Sequence, residues 1–136
     1  MPIKIDRSQW PVLSIDFDSG DETSDVLDEF HKTLLEHCTQ GQKIVLLFDL
    51  SPIVFYSHKA RFAMVLWLSE HKKTLRQAVA GTAFIVSNEP TRIAIHSLAT
   101  SFAAEEAIGP IKIFSARGEA IDWSTKRMER SKWAIL

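Results

Sequence analysis

Apolar and polar positions alternate with two different periods along the chain. Ile44 to Phe48 is an unbroken apolar run, IVLLF, closed by Asp49. A strand apolar at every position is covered on both faces, which points to a parallel or mixed sheet with helices on it. Gly41 before the run is a turn signal, and Pro52 after it stops the strand. Thr82 to Val86 and Ile111 to Phe114 are further short strands, with Lys112 the one charge in the second. Pro2 to Asp6 and Trp10 to Phe17 read as two more, the latter alternating at its far end through Ser14, Asp16 and Asp18. These two are expected to open the sheet as an antiparallel pair.

Between the strands the period becomes helical. Leu27, Phe30, Leu34 and Cys38 recur at helical spacing after a capping Thr23 or Ser24, with Asp25, Asp28 and Glu29 near the positive amino end. His58 to Arg76 reads as one long helix capped by Ser57. Phe62, Val65, Leu66 and Ser69 share one face of it, and Ala63, Met64, Trp67 and Leu68 lie elsewhere, so its middle is apolar nearly all round. Such a helix is buried on two sides, by a neighbouring helix or by another subunit. A third helix starts at Pro90 and runs through Ile93, Ala94, Leu98 and Phe102 toward Glu105 and Glu106, where Gly109-Pro110 breaks it. Ser115 opens the fourth, with Ile121, Ser124 and Met128 on one face and Trp123 and Arg127 placed to stack on the next. The apolar tail, Trp133 to Leu136, is expected to fold back or to meet another subunit. The order β-β-α-β-α-β-α-β-α predicts an α/β fold, a mostly parallel sheet of about five strands with four helices and right-handed crossovers.

The chain has 136 residues, which fits a single domain over 1–136. Its formal net charge is -1, so nothing in the balance draws it to nucleic acid or to a membrane surface. The charge is unevenly spread: Met1 to Glu36 is acidic, while Ser57 to Arg76 is basic, with Lys59, Arg61, Lys72, Lys73 and Arg76 against Glu70 alone. Two solvated helix faces of opposite sign explain this, and so does a face that steers a charged partner. Cys38 is the single cysteine, which rules out an intramolecular disulfide and fits a reducing compartment. MPIKIDRSQW has no apolar signal core, and no apolar run approaches the ~20 residues of a membrane span. The expectation is a soluble, cytoplasmic protein.

Few residues group into recognisable chemistry. The five glycines form no phosphate loop, there is no GxSxG elbow, and His31, His37, His58, His71 and His96 have no metal-ligand spacing. No catalytic residue, metal or cofactor is expected. His31, His37 and His71 read as exposed helix residues, and Cys38 as a small core residue. One cluster stands apart: Asp49, Ser51, Ser57, His58, Lys59 and Arg61 lie around a single strand-loop-helix junction. A helix amino end offers free amides and a positive dipole, and the bases beside it strengthen that, so this junction is a candidate anion- or partner-binding site. The plainer reading makes Ser57 only a cap and the bases a solvated first turn. The connecting loop, Pro52 to Tyr56, is unusually apolar for a segment that normally faces water. Phe55 and Tyr56, with Trp67 on the helix, are therefore candidates for an apolar pocket or an interface.

The stretch DLSPIVFYSHKAR resembles the signature of STAS domains, the SpoIIAA-like family of anti-sigma-factor antagonists. Asp49, Leu50, Ser51, Ile53 and Phe55 match it position by position. Where the family carries its phosphorylated switch serine, this chain has Lys59, and Ser57 is the candidate for a displaced phosphorylation site. The likeness is to the wider STAS/SEC14-like branch. It implies the strand and helix order read above and a non-enzymatic regulatory domain. Such a domain docks a protein partner through the loop and helix after the central strand. A homodimer is compatible with it. The alternative it implies is a SEC14-like carrier of a small anionic or lipid ligand.

Overall fold

The structure, a computed structural model, describes residues 3–17, 24–53 and 58–134. Five strands form one sheet: β1 (Ile3–Asp6), β2 (Val12–Phe17), β3 (Ile44–Asp49), β4 (Val79–Ile85) and β5 (Ile111–Phe114). β1 runs antiparallel to β2, and β2 to β5 are mutually parallel. An Asx turn starts the reversal after β1, the Asp6 carboxylate accepting the Ser8 N–H at 2.8 Å. That hydrogen bond also holds the Asp6 carboxyl below the usual range.

Spatial order equals sequence order across the sheet. Crossovers that share one hand then step in the same direction and leave their helices on the same face. That face carries α1 (Ser24–Cys38), α2 (His58–Glu70), α3 (Lys72–Ala78), α4 (Glu89–Ala99) and α5 (Phe102–Ile108). The opposite face would be bare but for α6 (Arg117–Ala134), which follows the last strand and lies back over it. Two cores result. Leu13, Ile15, Ile44, Leu46, Phe48 and Phe84 point into the five-helix layer. Val45, Leu47, Ala83 and Ile85 point at Ala120 and Met128 of α6. The unbroken IVLLF run thus has its predicted cause, since both its faces are covered.

Among the described residues six helices stand where the sequence predicts four. The long segment 58–76 breaks at His71, whose backbone (φ -110°, ψ 17°) leaves helical geometry. No glycine or proline marks that break. It follows from packing, because α3 turns inward to meet α1 and α5 and buries Leu75 and Ala78. The segment after Pro90 divides at Thr100. Ser101 starts a new helix, its hydroxyl accepting the Ala104 N–H at 3.2 Å. The last helix begins at Arg117, two residues after Ser115. β4 carries an irregularity: Ile44 pairs with Val79 but Val45 pairs with Gly81, leaving Ala80 out of register. Arg127 takes up the freed Ala80 carbonyl, donating Nε–H at 2.7 Å, and Trp123 meets the Phe114 ring at 6.0 Å.

Candidate functional site

The parallel strands β2 and β3 end side by side, with Asp16 and Asp49 as register partners. Both side chains point to the α6 face, two carboxylates at adjacent strand ends. Arg117, in the first turn of α6, lies across them. One guanidinium nitrogen donates to Asp49 at 2.8 Å and to Asp16 at 3.2 Å, and the other donates to the buried Ser14 hydroxyl at 2.8 Å. Partial burial works against the charged guanidinium. The hydrogen bond and charge of Asp16, then those of Asp49, outweigh it and hold Arg117 above its ordinary pKa.

The second Asp49 oxygen accepts from the Ser51 N–H at 3.0 Å and also from the Ser51 hydroxyl. The Ser51 carbonyl accepts from Ser87 Oγ at 2.6 Å, and the Ile53 carbonyl from Asn88 Nδ2 at 2.7 Å and Thr91 Oγ1 at 3.1 Å. Asn88 meanwhile caps α4, accepting the Thr91 N–H at 2.9 Å. The loop after the central strand is therefore anchored through residue 53 to α6 on one side and to the β4–α4 junction on the other. Ile53 is fully buried there, so the start of the apolar loop is tucked down.

Of the cluster expected from the sequence, the structure joins Asp49 and Ser51 by hydrogen bonds. Ser57, Phe55, Tyr56 and the His58 side chain lie outside the described residues. Lys59, exposed, and Arg61, half-buried, head α2 in the layer across the sheet from Arg117. Further along α2, Phe62 is 65% exposed and Leu66 47% exposed, with Ala63 exposed between them. The described neighbours of this helix cover Trp67 and Leu68 but not that stripe.

Trp67 sits in the core, stacked on His31 at 4.3 Å and close to His71 at 5.3 Å. His31 is thus half-buried rather than exposed. Burial, with His71 adding to it against Asp28, pushes it down to about 4. His37 is also half-buried beside Trp10, and its Nδ1 has no hydrogen-bond partner among the described residues. Burial lowers its pKa, as it pushes the Cys38 thiol up to about 11. That thiol is a poor nucleophile. Among the described residues no group of three His, Cys, Asp or Glu is gathered to hold a metal ion. No helix among them is long and apolar enough to cross a membrane.

Arg117 was not singled out from the sequence. The signal available was an arginine at the positive end of a helix, where acids are favoured, in a chain with two strands that end near aspartate. Nothing in the linear order joins the three.

Comparison with known proteins places the fold. No protein-family model matches the chain, and no curated protein matches it. Among solved structures it is similar to an uncharacterised protein of the DUF3478 family from Shewanella loihica PV-4, described as having a SpoIIAA-like fold. The two are 21% identical, with a TM-score of 0.63, over 90% of this chain and 91% of that one. The fold of this chain is SpoIIAA-like.

Proposed function

We propose that the chain is a non-enzymatic interaction domain that docks a protein partner through α2 and the loop leading into it. The observation that carries this reading is the exposed stripe Phe62–Ala63–Leu66, with Lys59 one turn before it. Large apolar side chains in adjacent turns of one helix face are more than the scattered exposure any surface shows. The support behind them fits a docking element. The Asp49–Ser51 turn and the Ile53 carbonyl hold the chain through residue 53 on a rigid base. A regulatory role would follow if the partner is exchanged on a signal, with phosphate on Ser57 as one such signal. The carrier alternative draws less support, because Trp67 is packed against His31 rather than lining a cavity.

A photo-crosslinking residue at position 62, with position 126 on α6 as control, tests the reading in the producing cells. The expected result is one discrete protein adduct from position 62 and none from 126. That adduct should disappear when Lys59 and Leu66 are changed to glutamate. Equal adducts at both positions, or none at 62, would overturn the proposal.

A further inference from the structure

The sheet ends at β5. Among the described residues β5 is paired on one edge only, with β4. The Pro110 and Phe114 carbonyls accept from Thr82 and Val86, each at 2.9 Å, so those residues point their backbone groups at β4. Backbone groups alternate sides along a strand, so Lys112 points the same way. Ile111 and Ile113 then aim their N–H and C=O groups outward, where no strand among the described residues meets them. Beside this edge an open groove of about 730 Å³ runs between β5 and α4. Its lining is mixed: Ile93, Ala99, Ile111 and Ile113 are apolar, Glu89, Arg92, His96 and Glu105 stand among them, and Ile93 is 61% exposed. An unpaired edge beside a groove with apolar positions in register with Ile111 and Ile113 is the geometry of strand addition.

We propose that this edge takes an extended segment of a partner protein as a sixth strand, with apolar residues at two alternate positions and an acid between them. The pattern follows from the faces of β5. Ile111 and Ile113 face the helix layer, whereas Lys112 shares the opposite face with Phe114, its ammonium 5.7 Å from that ring. An added strand turns alternate residues into the groove beside Ile93 and sets the residue between them next to the exposed Lys112. Opposite charges across neighbouring strands attract and like charges repel, so an acid fits there. A second copy of this chain does not fit as well. The two-fold pairing that joins Ile111 to Ile113 of another copy sets lysine 112 against itself, and an edge lysine is a known guard against such pairing.

The probe is a capped peptide, Thr-Val-Glu-Val-Thr, compared with the same peptide carrying Lys for Glu. Binding is followed by backbone amide resonances of the full chain. The Glu peptide should shift Ile93, Ile111 and Ile113 and bind at least about fivefold tighter than the Lys peptide. K112E should reverse that preference. I113P, which removes an outward N–H that β4 does not use, should abolish binding. If I113P fails to fold, the K112E reversal decides alone. No shifts at about 1 mM peptide, a limit near -4 kcal/mol, would overturn the proposal. So would equal affinity for both peptides, shifts outside the groove, or self-association through β5.

Discussion

Arg117 is held by two carboxylates that would otherwise repel each other across β2 and β3. All three groups are partly open to solvent, so each ion pair is weak by itself. Removing the shared cation is a different change. It leaves Asp16 and Asp49 adjacent and uncompensated, and the buried Ser14 hydroxyl without its partner. R117Q should therefore cost about 1 kcal/mol in urea unfolding, and adding D16N should recover part of it. No recovery would mean that the arginine acts through packing alone. His31 makes a second prediction at this scale. Its folded-state pKa lies near 4, below the 6.5 of the unfolded chain. Between those values the unfolded state binds more protons. The contribution is therefore full above about 6.5 and is lost as pH falls toward 4. Because the ring is partly exposed, the loss should be about 1 kcal/mol. Urea midpoints at pH 7 and pH 4.5 for the protein and for H31F, which keeps a ring on Trp67 without the titration, measure it as the difference between the two.

Individual elements differ in how far the sequence foretold them. β3 was legible because a strand apolar on both faces leaves a local signature, and α6 over one face with five helices over the other supplies its reason. The two helix breaks left weaker marks. The break at His71 answers to α1 and α5, which lie far away in sequence. The break at Thr100 did have a sign, the capping Ser101, but the small residues around it keep a helical period and hide it. The candidate site was legible only in part. Asp49 and Ser51 lie two residues apart and form a turn the sequence can suggest. Arg117 reaches Asp49 across 68 positions and Ser14 across 103, which no spacing rule captures. At α2 the all-round apolar pattern predicts burial on two sides, whereas the structure covers Trp67 and Leu68 and leaves the Phe62–Leu66 stripe exposed. If that stripe serves a partner rather than the fold, F62E/L66E should change stability by less than about 0.5 kcal/mol. Calorimetry checks this, and a loss several times larger would return the stripe to the core.

At the scale of the whole molecule, the fold is lopsided: among the described residues five helices lie on one face and a single one on the other. The lone helix must lie close, and small residues let it. Ala120 and Ser124 are fully buried against a β4 surface that offers Ala80 and Ala83. Gly81 completes the fit, since a side-chain carbon there would stand 3.0 Å from Arg127 and 3.2 Å from Trp123. α6 also carries Arg117 at its start, so the same helix that seals the second core ties the ends of β2 and β3 together. Close packing and the ion-pair cluster should therefore fail together when the helix is pushed away. S124L inserts a branched side chain where none fits and removes a hydroxyl that only caps the Ala120 carbonyl at 2.8 Å. Overpacking of this kind should cost about 2 kcal/mol. The discriminating measurement is a double-mutant cycle with R117Q. If α6 lifts as a body, S124L has already weakened the Arg117 contacts and the double variant loses less than the sum of the two single losses. Strict additivity would mean that the helix deforms only around position 124 and that its amino end stays seated on the carboxylates.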